Sequence, residues 1–276
     1  MDADADEAWT VGVDPGRASA ARVYDYFLGG RYHLPPDRQA AEAVVSITPN
    51  VPRQARANRA FLQRMVKHLV HLGIRQFLDI GSGIPASGNV HDIAQDAAPD
   101  ARVLYVDIDP VAVMTANQIL AENPHATAIE ADLRRPEQLL GQINRPDVQT
   151  VIDLAQPTAL LLVAVLHFIP DDADPYQAVG HLRDQLAPGS YLAISHGASE
   201  SYTPQEAQRV AAAYGARSAP LPTPRSRQQV AQFFANYEVQ EPGIVWLPEW
   251  RPGPAEDFAD DPVGSGAHAG LGRRPD

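Results

Sequence analysis

Three carboxylates follow three successive apolar runs. Asp79 closes Phe77-Leu78, Asp107 closes Val103-Leu104-Tyr105-Val106, and Asp132 comes just after Ala126 to Glu130. The first acid is followed by a glycine turn, Asp79-Ile80-Gly81-Ser82-Gly83. Glycine has no Cβ and tolerates positive φ, so a ligand can lie directly against the backbone there. Turn amides and a following helix start form a polar cradle at the carboxyl end of a strand, where open α/β sheets bind nucleotide-like ligands. Asp107 stands about two dozen residues past the glycines, the spacing at which an acid accepts hydrogen bonds from both hydroxyls of a ribose. Asp132 stands a similar distance further on, where a carboxylate can accept from an adenine amino group. One such acid is commonly a helix cap; three at successive strand ends mark a binding crevice.

Two ligands compete for this pattern. Gly81-x-Gly83-x-x-Ala86 fits the dinucleotide fingerprint, which allows alanine at the third position. Asp79-x-Gly81-x-Gly83 fits the signature that binds S-adenosylmethionine. An acid two residues before the first glycine suits a ligand with a cationic amino-acid end. Pro85 also keeps a helix from starting straight after the turn, because the residue before a proline is pushed out of the α region.

The elements that must position these residues follow from the hydrophobic pattern. Residues 1–18 carry no periodicity and are expected as a flexible arm. Residues 19–73 read as a helical cap: a short helix around Val23 and Phe27 stopped by Gly29-Gly30, a helix from Arg38 to Val45 with Asp37 as its cap, and a longer one from Arg53 to Leu72. The first of these is either a packing helix or a lid whose aromatics and Arg31 face a ligand. The third carries Arg53, Arg56, Arg59, Arg64 and Lys67 beside its apolar stripe, and reads as a solvated basic face. His68 and His71 read as surface residues of the same helix.

From Arg75 the pattern alternates strand and helix, which implies a mostly parallel sheet covered on both faces. Strands are expected at 75–80, 102–106 and 126–130, an extended piece at 150–154, and a long buried strand at 158–168. Ser87 or Asn89 caps the helix after the glycine turn, and Asp109-Pro110 opens the helix after the second strand. Asp171, Asp172 and Asp174 read as a solvated loop with Asp174 capping a helix at Pro175, and no metal is expected. A fifth strand runs over 190–195. Tyr237 to Gln240 and Ile244 to Pro248 form a final hairpin, and residues 253–276, rich in glycine and proline, are expected as a loosely held tail. The binding domain therefore spans 74–252.

The chain resembles the class I S-adenosylmethionine-dependent methyltransferases, and most of all an actinobacterial methyltransferase family long classed as a domain of unknown function. The resemblance rests on Ala21 to Gly30, Phe77 to Pro85, Gly88-Asn89-Val90-His91, Tyr105 to Pro110, Ala164 to Phe168, Pro188 to Leu192 and Pro248 to Pro252. It implies a doubly wound, Rossmann-like, seven-stranded sheet with an antiparallel last strand, matching the final hairpin. It implies S-adenosylmethionine as cofactor, with contacts at Asp79, Gly81, Ser82, Gly83, Asp107, Ile108, Asp132 and Leu133. Pro85 stands where a third glycine is common in the class. His167, at the end of the fourth strand, is either a base or a wall of the site, and His196 is a second candidate for that role. Tyr24, Tyr26, Arg31, His33 and His196 are the expected substrate side.

Composition narrows the partners. A net charge of -12 argues against general binding to a phosphate backbone. The absence of cysteine excludes disulfides and thiolate metal sites. The acidic start lacks the apolar core of a secretory leader, and no apolar run is long enough to span a bilayer, so a cytoplasmic protein is expected. No Asn-Pro-Pro-Tyr run follows the fourth strand, which favours a small-molecule acceptor over DNA or protein amino groups. The alternatives are a cofactor-binding regulatory module and, third, a nicotinamide-dependent oxidoreductase.

Overall fold

The computed structural model describes residues 14, 16–85, 88–215 and 221–276. Three helices precede the sheet: α1 (Ala20–Phe27), α2 (Pro35–Ile47) and α3 (Val51–His71). Then come β1 (Gln76–Ile80), α4 (Val90–Ala97), β2 (Arg102–Asp107), α5 (Pro110–Ile119), β3 (Ala126–Glu130), α6 (Pro136–Ile143), β4 (Thr158–Val163), α7 (Pro175–Gln185) and β5 (Tyr191–Gly197). The chain ends with α8 (Pro204–Gly215), α9 (Arg227–Gln232), β6 (Glu238–Val239), β7 (Val245–Trp246) and β8 (Ala267–Arg273).

The sheet has eight strands in the order β3-β2-β1-β4-β5-β8-β6, with β7 also paired to β8. β1 to β5 are parallel, and β8 runs antiparallel to β5. Strands buried on both faces read as continuous apolar runs. Successive residues therefore feed different cores. Phe77, Val103 and Leu161 pack with Phe61, Met65 and Leu69 of α3, while Leu78, Leu104 and Leu160 pack with Leu139 of α6 and Val179 of α7. A third, smaller core joins Val23 and Phe27 of α1 to Ala40, Ala41 and Val44 of α2 and Val210 of α8.

The last part of the chain corrects the sequence reading. β8 lies in the expected loose tail, yet it is an inner strand with Ala269 and Leu271 fully buried. Its sequence, Ala267-His268-Ala269-Gly270-Leu271-Gly272-Arg273, has two glycines where β-formers would signal a strand. The glycines are needed because Phe234 packs against both: a Cβ on Gly270 would come within 3.3 Å, and one on Gly272 within 2.8 Å, of its ring. β6 and β7 do not form a hairpin with one another. Both pair with the free edge of β8, through Glu238↔Arg273 and Trp246↔His268. The sheet therefore has eight strands rather than seven, and the sheet domain runs past 252 to β8.

Smaller departures have local causes. The run at 158–168 is not one strand: it ends at Val163, and Leu166–Phe168 form a 3₁₀ turn. Residues 150–154 are turns. Asp37 is not the cap of α2 but its third residue; its carboxylate reaches back to accept from the Leu34 amide at 2.7 Å. Asn89 caps α4, while Ala86 and Ser87 lie outside the described residues, as do residues 1–13 of the expected arm. Asp109 caps α5 and Asp174 caps α7, as read. No described helix is long and apolar enough to cross a membrane.

The placement of β8 makes a sharp prediction. Leu271→Ala should destabilise the protein by about 2–5 kcal/mol, the usual cost of truncating a buried leucine. Urea denaturation measures it. A loss below about 0.5 kcal/mol, typical of surface positions, would return this segment to a tail.

Candidate active site

Strand order reverses between β1 and β4, and the crevice at such a switch point is where doubly wound sheets bind ligands. A cleft of 480 Å³ occupies it. Its lining includes Asp79, Gly81, Ser82 and Gly83 from β1 and its turn, Asp107, Ile108 and Asp109 from the end of β2, and Asp132 and Leu133 from the end of β3. All eight expected cofactor positions therefore meet in one place.

The turn is held from β2. The amides of Gly81 and Ser82 both donate to the Val106 carbonyl, at 2.8 and 3.2 Å. Gly81 and Gly83 have φ of +70° and +67°. A Cβ on Gly81 would run into Val165, whereas one on Gly83 would meet nothing within 4 Å. The first glycine serves packing; the second leaves open space above the turn.

Asp107 organises the floor. Its carboxylate accepts from the Gly83 amide at 2.7 Å and the Asp109 amide at 2.8 Å. Asp109 caps α5 through the Val111 amide at 2.8 Å and also accepts from Arg22 at 3.1 Å. Burial pushes the Asp79 carboxyl up to about 7; Arg59 opposes this and Asp107 adds to it. Burial likewise raises Asp107 to about 6, against the pull of its backbone donors. Asp132 is different: burial would raise it, but the paired Arg134 guanidinium outweighs that and holds the carboxyl below its usual range. Ile108 is a large apolar side chain that is 54% exposed at the lip of the cleft.

Three cap residues were missed in the sequence. Arg22 is buried, donating to Asp37 at 2.8 Å, to Asp109 and to the Arg17 carbonyl. Arg59 is not on a solvated face: it is half-buried and lines the cleft. Asn58 donates to the Tyr24 hydroxyl at 2.9 Å and accepts from Ser195 at 2.5 Å. The signal available for Arg59 was its place on α3 beside the apolar stripe, but only the packing of α3 over the sheet reveals which way it faces.

A second chamber, of 190 Å³, lies behind the first. Tyr24, Asn58, Ala164 and Phe168 line both, so they form the wall between them. Ala164 has φ of +56°, a strained conformation for a residue with a Cβ, held by hydrogen bonds from its amide to the Ser195 side chain and carbonyl. His167 and His196 line the chamber and not the cleft. His167 lies in the 3₁₀ turn rather than at a strand end. Burial, and secondarily Arg225, lowers it to about 4. His196 is fully buried between Arg225, which donates to Nε2 at 3.0 Å, and the Gly197 carbonyl, which accepts from Nδ1 at 2.9 Å. Of the expected substrate side only Tyr24 and His196 line either space. Tyr26 and His33 meet edge to face at 5.2 Å, Arg31 sits by Tyr32, and none of the three lines cleft or chamber.

A family model described as S-adenosyl methyltransferase matches residues 6–275. The chain belongs to that family. Its fold is similar to a crystal structure of a candidate methyltransferase from Thermobifida fusca YX, at 36% identity and a TM-score of 0.87 over 96% of this chain and 98% of the other. A duf574 family protein from Streptomyces avermitilis MA-4680 matches at 39% identity and a TM-score of 0.87, over 95% and 99% of the two chains. The N-methyltransferase NodS from Bradyrhizobium japonicum WM9, solved with S-adenosyl-L-homocysteine, shares 14% identity at a TM-score of 0.52 over 92% of this chain and all of that one, a likeness of fold alone. No curated protein matches the sequence. The protein is an S-adenosylmethionine-dependent methyltransferase, and the cleft residues fit that cofactor: strand-end acids for the sugar, an open glycine for close approach, and an exposed apolar lip.

The raised carboxyl of Asp79 has a measurable sign. Between about 3.8 and about 7 the folded, unliganded protein holds a proton on Asp79 that the unfolded chain has released. Stability from this group is thus present at low pH and lost as pH rises through that window. Asp79→Asn stays neutral throughout. It should gain stability relative to the wild type between pH 5 and pH 8, read from urea midpoints at the two pH values. A difference that is flat or reversed would mean that Asp79 ionises normally.

Proposed function

We propose that the protein transfers a methyl group from S-adenosylmethionine to a small-molecule acceptor, with the cofactor in the cleft and the acceptor reaching it through the wall at Ala164. The observation that carries this reading is the pair of adjoining spaces: a cleft within the ~300–1,000 Å³ range of small-ligand sites, and a smaller chamber sharing four wall residues with it. A protein or nucleic-acid target would instead need an open approach to the methyl group. The formal charge of -12 also disfavours nucleic acid.

Roles follow from chemistry. Asp107 accepts from the ribose diol with the outer lone pairs of the oxygens already fixed by Gly83 and Asp109. Ile108 and Leu133 cover the adenine faces, and Asp132 lies by its amino group. Asp79 receives the ammonium of the methionine end, which restores the ionised carboxylate by supplying a cation. Arg59 takes the carboxylate of the same end. Bound S-adenosylmethionine supplies an already activated methyl on a sulfonium, so the protein's task is chiefly to hold the acceptor in line and exclude water. Cytoplasmic placement is part of this reading, since the cofactor is an intracellular metabolite.

Asp107 and Asp109 separate binding from stability. Asp107→Ala removes two hydrogen bonds to a charged group, each worth ~1.5–3 kcal/mol before water compensates. A net loss of about 2–4 kcal/mol, or about thirty- to thousandfold in S-adenosylhomocysteine affinity by calorimetry, is expected. Asp109→Ala removes a cap worth about 1 kcal/mol and one partner of Arg22, so it should lower the melting temperature more and the affinity less. If Asp109→Ala weakens the ligand more than Asp107→Ala, the ribose assignment is off by two residues. Saturable NAD binding in place of S-adenosylhomocysteine would refute the cofactor reading.

A further inference from the structure

The chamber behind Ala164 has a chemistry of its own. Among its described lining side chains there is no Asp, Glu, Lys or Arg. Burial holds both of its histidines neutral near pH 7. The nearby Arg225 is already engaged with the Leu166 and Ile169 carbonyls, His196 and Asp171. A charged guest would therefore be desolvated with no counter-charge among the described lining residues, at a cost of several kcal/mol. Phe27, Phe168, Tyr24 and Tyr202 supply flat aromatic walls. The volume of 190 Å³ lies below the ~300 Å³ lower end for drug-sized ligands, which suits one or two fused rings.

Most polar groups on the lining are committed: Asn58 to Tyr24 and Ser195, and Ser265 to the Pro262 carbonyl. His167 is an exception. The Gly197 amide donates to its Nδ1 at 3.4 Å, so the neutral ring carries its proton on Nε2. That N–H has no hydrogen-bond partner among the described residues and keeps some accessible surface, on a side chain that lines the chamber.

We propose that this chamber is the acceptor site, that it takes an uncharged, flat, ring-bearing small molecule, and that His167 positions the acceptor by donating from Nε2 rather than removing its proton. The proposal rests on the methyltransferase reading of the cleft. The transfer balances without a protein base. The acceptor's lone pair forms the bond to the methyl carbon, the C–S electron pair stays with the departing thioether, and the acceptor's proton passes to water.

The test uses four probes of one shape on the full chain saturated with S-adenosylhomocysteine: 2-naphthol, naphthalene, 2-naphthoate and 2-naphthylmethylammonium. 2-Naphthol should bind at least about tenfold more tightly than either ion. Ala207 is a half-buried residue of α8 on the chamber wall. Ala207→Trp should fill the space and abolish 2-naphthol binding while leaving S-adenosylhomocysteine affinity within about twofold. His167→Phe should weaken 2-naphthol by about three- to tenfold, the worth of one neutral hydrogen bond, and leave naphthalene unchanged. His167→Gln, which keeps an N–H donor, should restore part of the loss. Equal binding of either ion, no binding of any probe, or indifference to Ala207→Trp would overturn the acceptor class and site. Equal loss of naphthalene and 2-naphthol in His167→Phe would overturn the donor role. Failure of S-adenosylhomocysteine to bind the wild type is a separate result: it removes the cofactor reading on which the proposal stands.

Discussion

Asp79 and Asp107 are buried side by side at the ends of adjacent parallel strands, each near 5% exposed, and burying a carboxylate is costly unless something answers its charge. Much of the surrounding structure is that answer. The glycine turn folds so that the Gly83 amide donates to Asp107, and α5 starts where it does so that the Asp109 amide can do the same. α3 crosses the sheet at a point that brings Arg59 within electrostatic reach of Asp79. The answer is incomplete, and both carboxyls remain raised above their ordinary value. In the proposed cofactor placement, a cationic, hydroxyl-bearing ligand relieves that residual cost, so the site holds affinity in reserve at the expense of unliganded stability.

The helical cap is fastened to this floor by a buried ion cluster. Arg22 of α1 lies between Asp37 of α2 and Asp109 at the start of α5, with Arg22 and Asp37 no more than 4% exposed. A buried pair broken on one side leaves an uncompensated charge, so the cluster specifies one docking of the cap rather than a range. The same α1 carries Tyr24 into the wall between cleft and chamber. Cap docking and the shape of both spaces are thereby one structural decision.

What the sequence made legible was local. Glycines that need positive φ, acids that end apolar runs, and Asp-Pro helix starts carry their meaning within a few residues, and Gly81, Gly83, Asp107, Asp109 and Asp174 sit as those rules require. What stayed hidden depends on partners far away in the chain. Arg22 and Arg59 look like any helix arginine until α1 and α3 are laid over the sheet. β8 was masked by Gly270 and Gly272, whose selection is steric and imposed by Phe234. The tyrosine and arginine around Gly29-Gly30 looked like a ligand face, yet Tyr26 packs on His33 and Arg31 sits by Tyr32, away from cleft and chamber, and only Tyr24 lines them. His167 was named from its position as a site candidate, and the structure places it on the chamber wall. In the proposed acceptor site, whether it gives or takes a proton follows from the Gly197 amide thirty residues later, which donates to Nδ1.

Ala164 shows how closely the two spaces are joined. A residue with a Cβ held at φ of +56° costs about 1–3 kcal/mol and persists only where its surroundings over-determine it. Here they do. Its amide donates to both oxygens of Ser195, the Ser195 hydroxyl donates to Asn58, Asn58 donates to Tyr24, and Tyr24 donates to the Ala55 carbonyl. That chain of hydrogen bonds runs from the end of β4 across β5 to α3 and α1, and each member accepts or donates to the next. Glycine at position 164 would relieve the strain but leave a gap in the wall, because the Ala164 side lines cleft and chamber alike. The strain is therefore the cost of a partition: a thin wall, stiffened by three side chains, that keeps cleft and chamber from merging into a single open cavity.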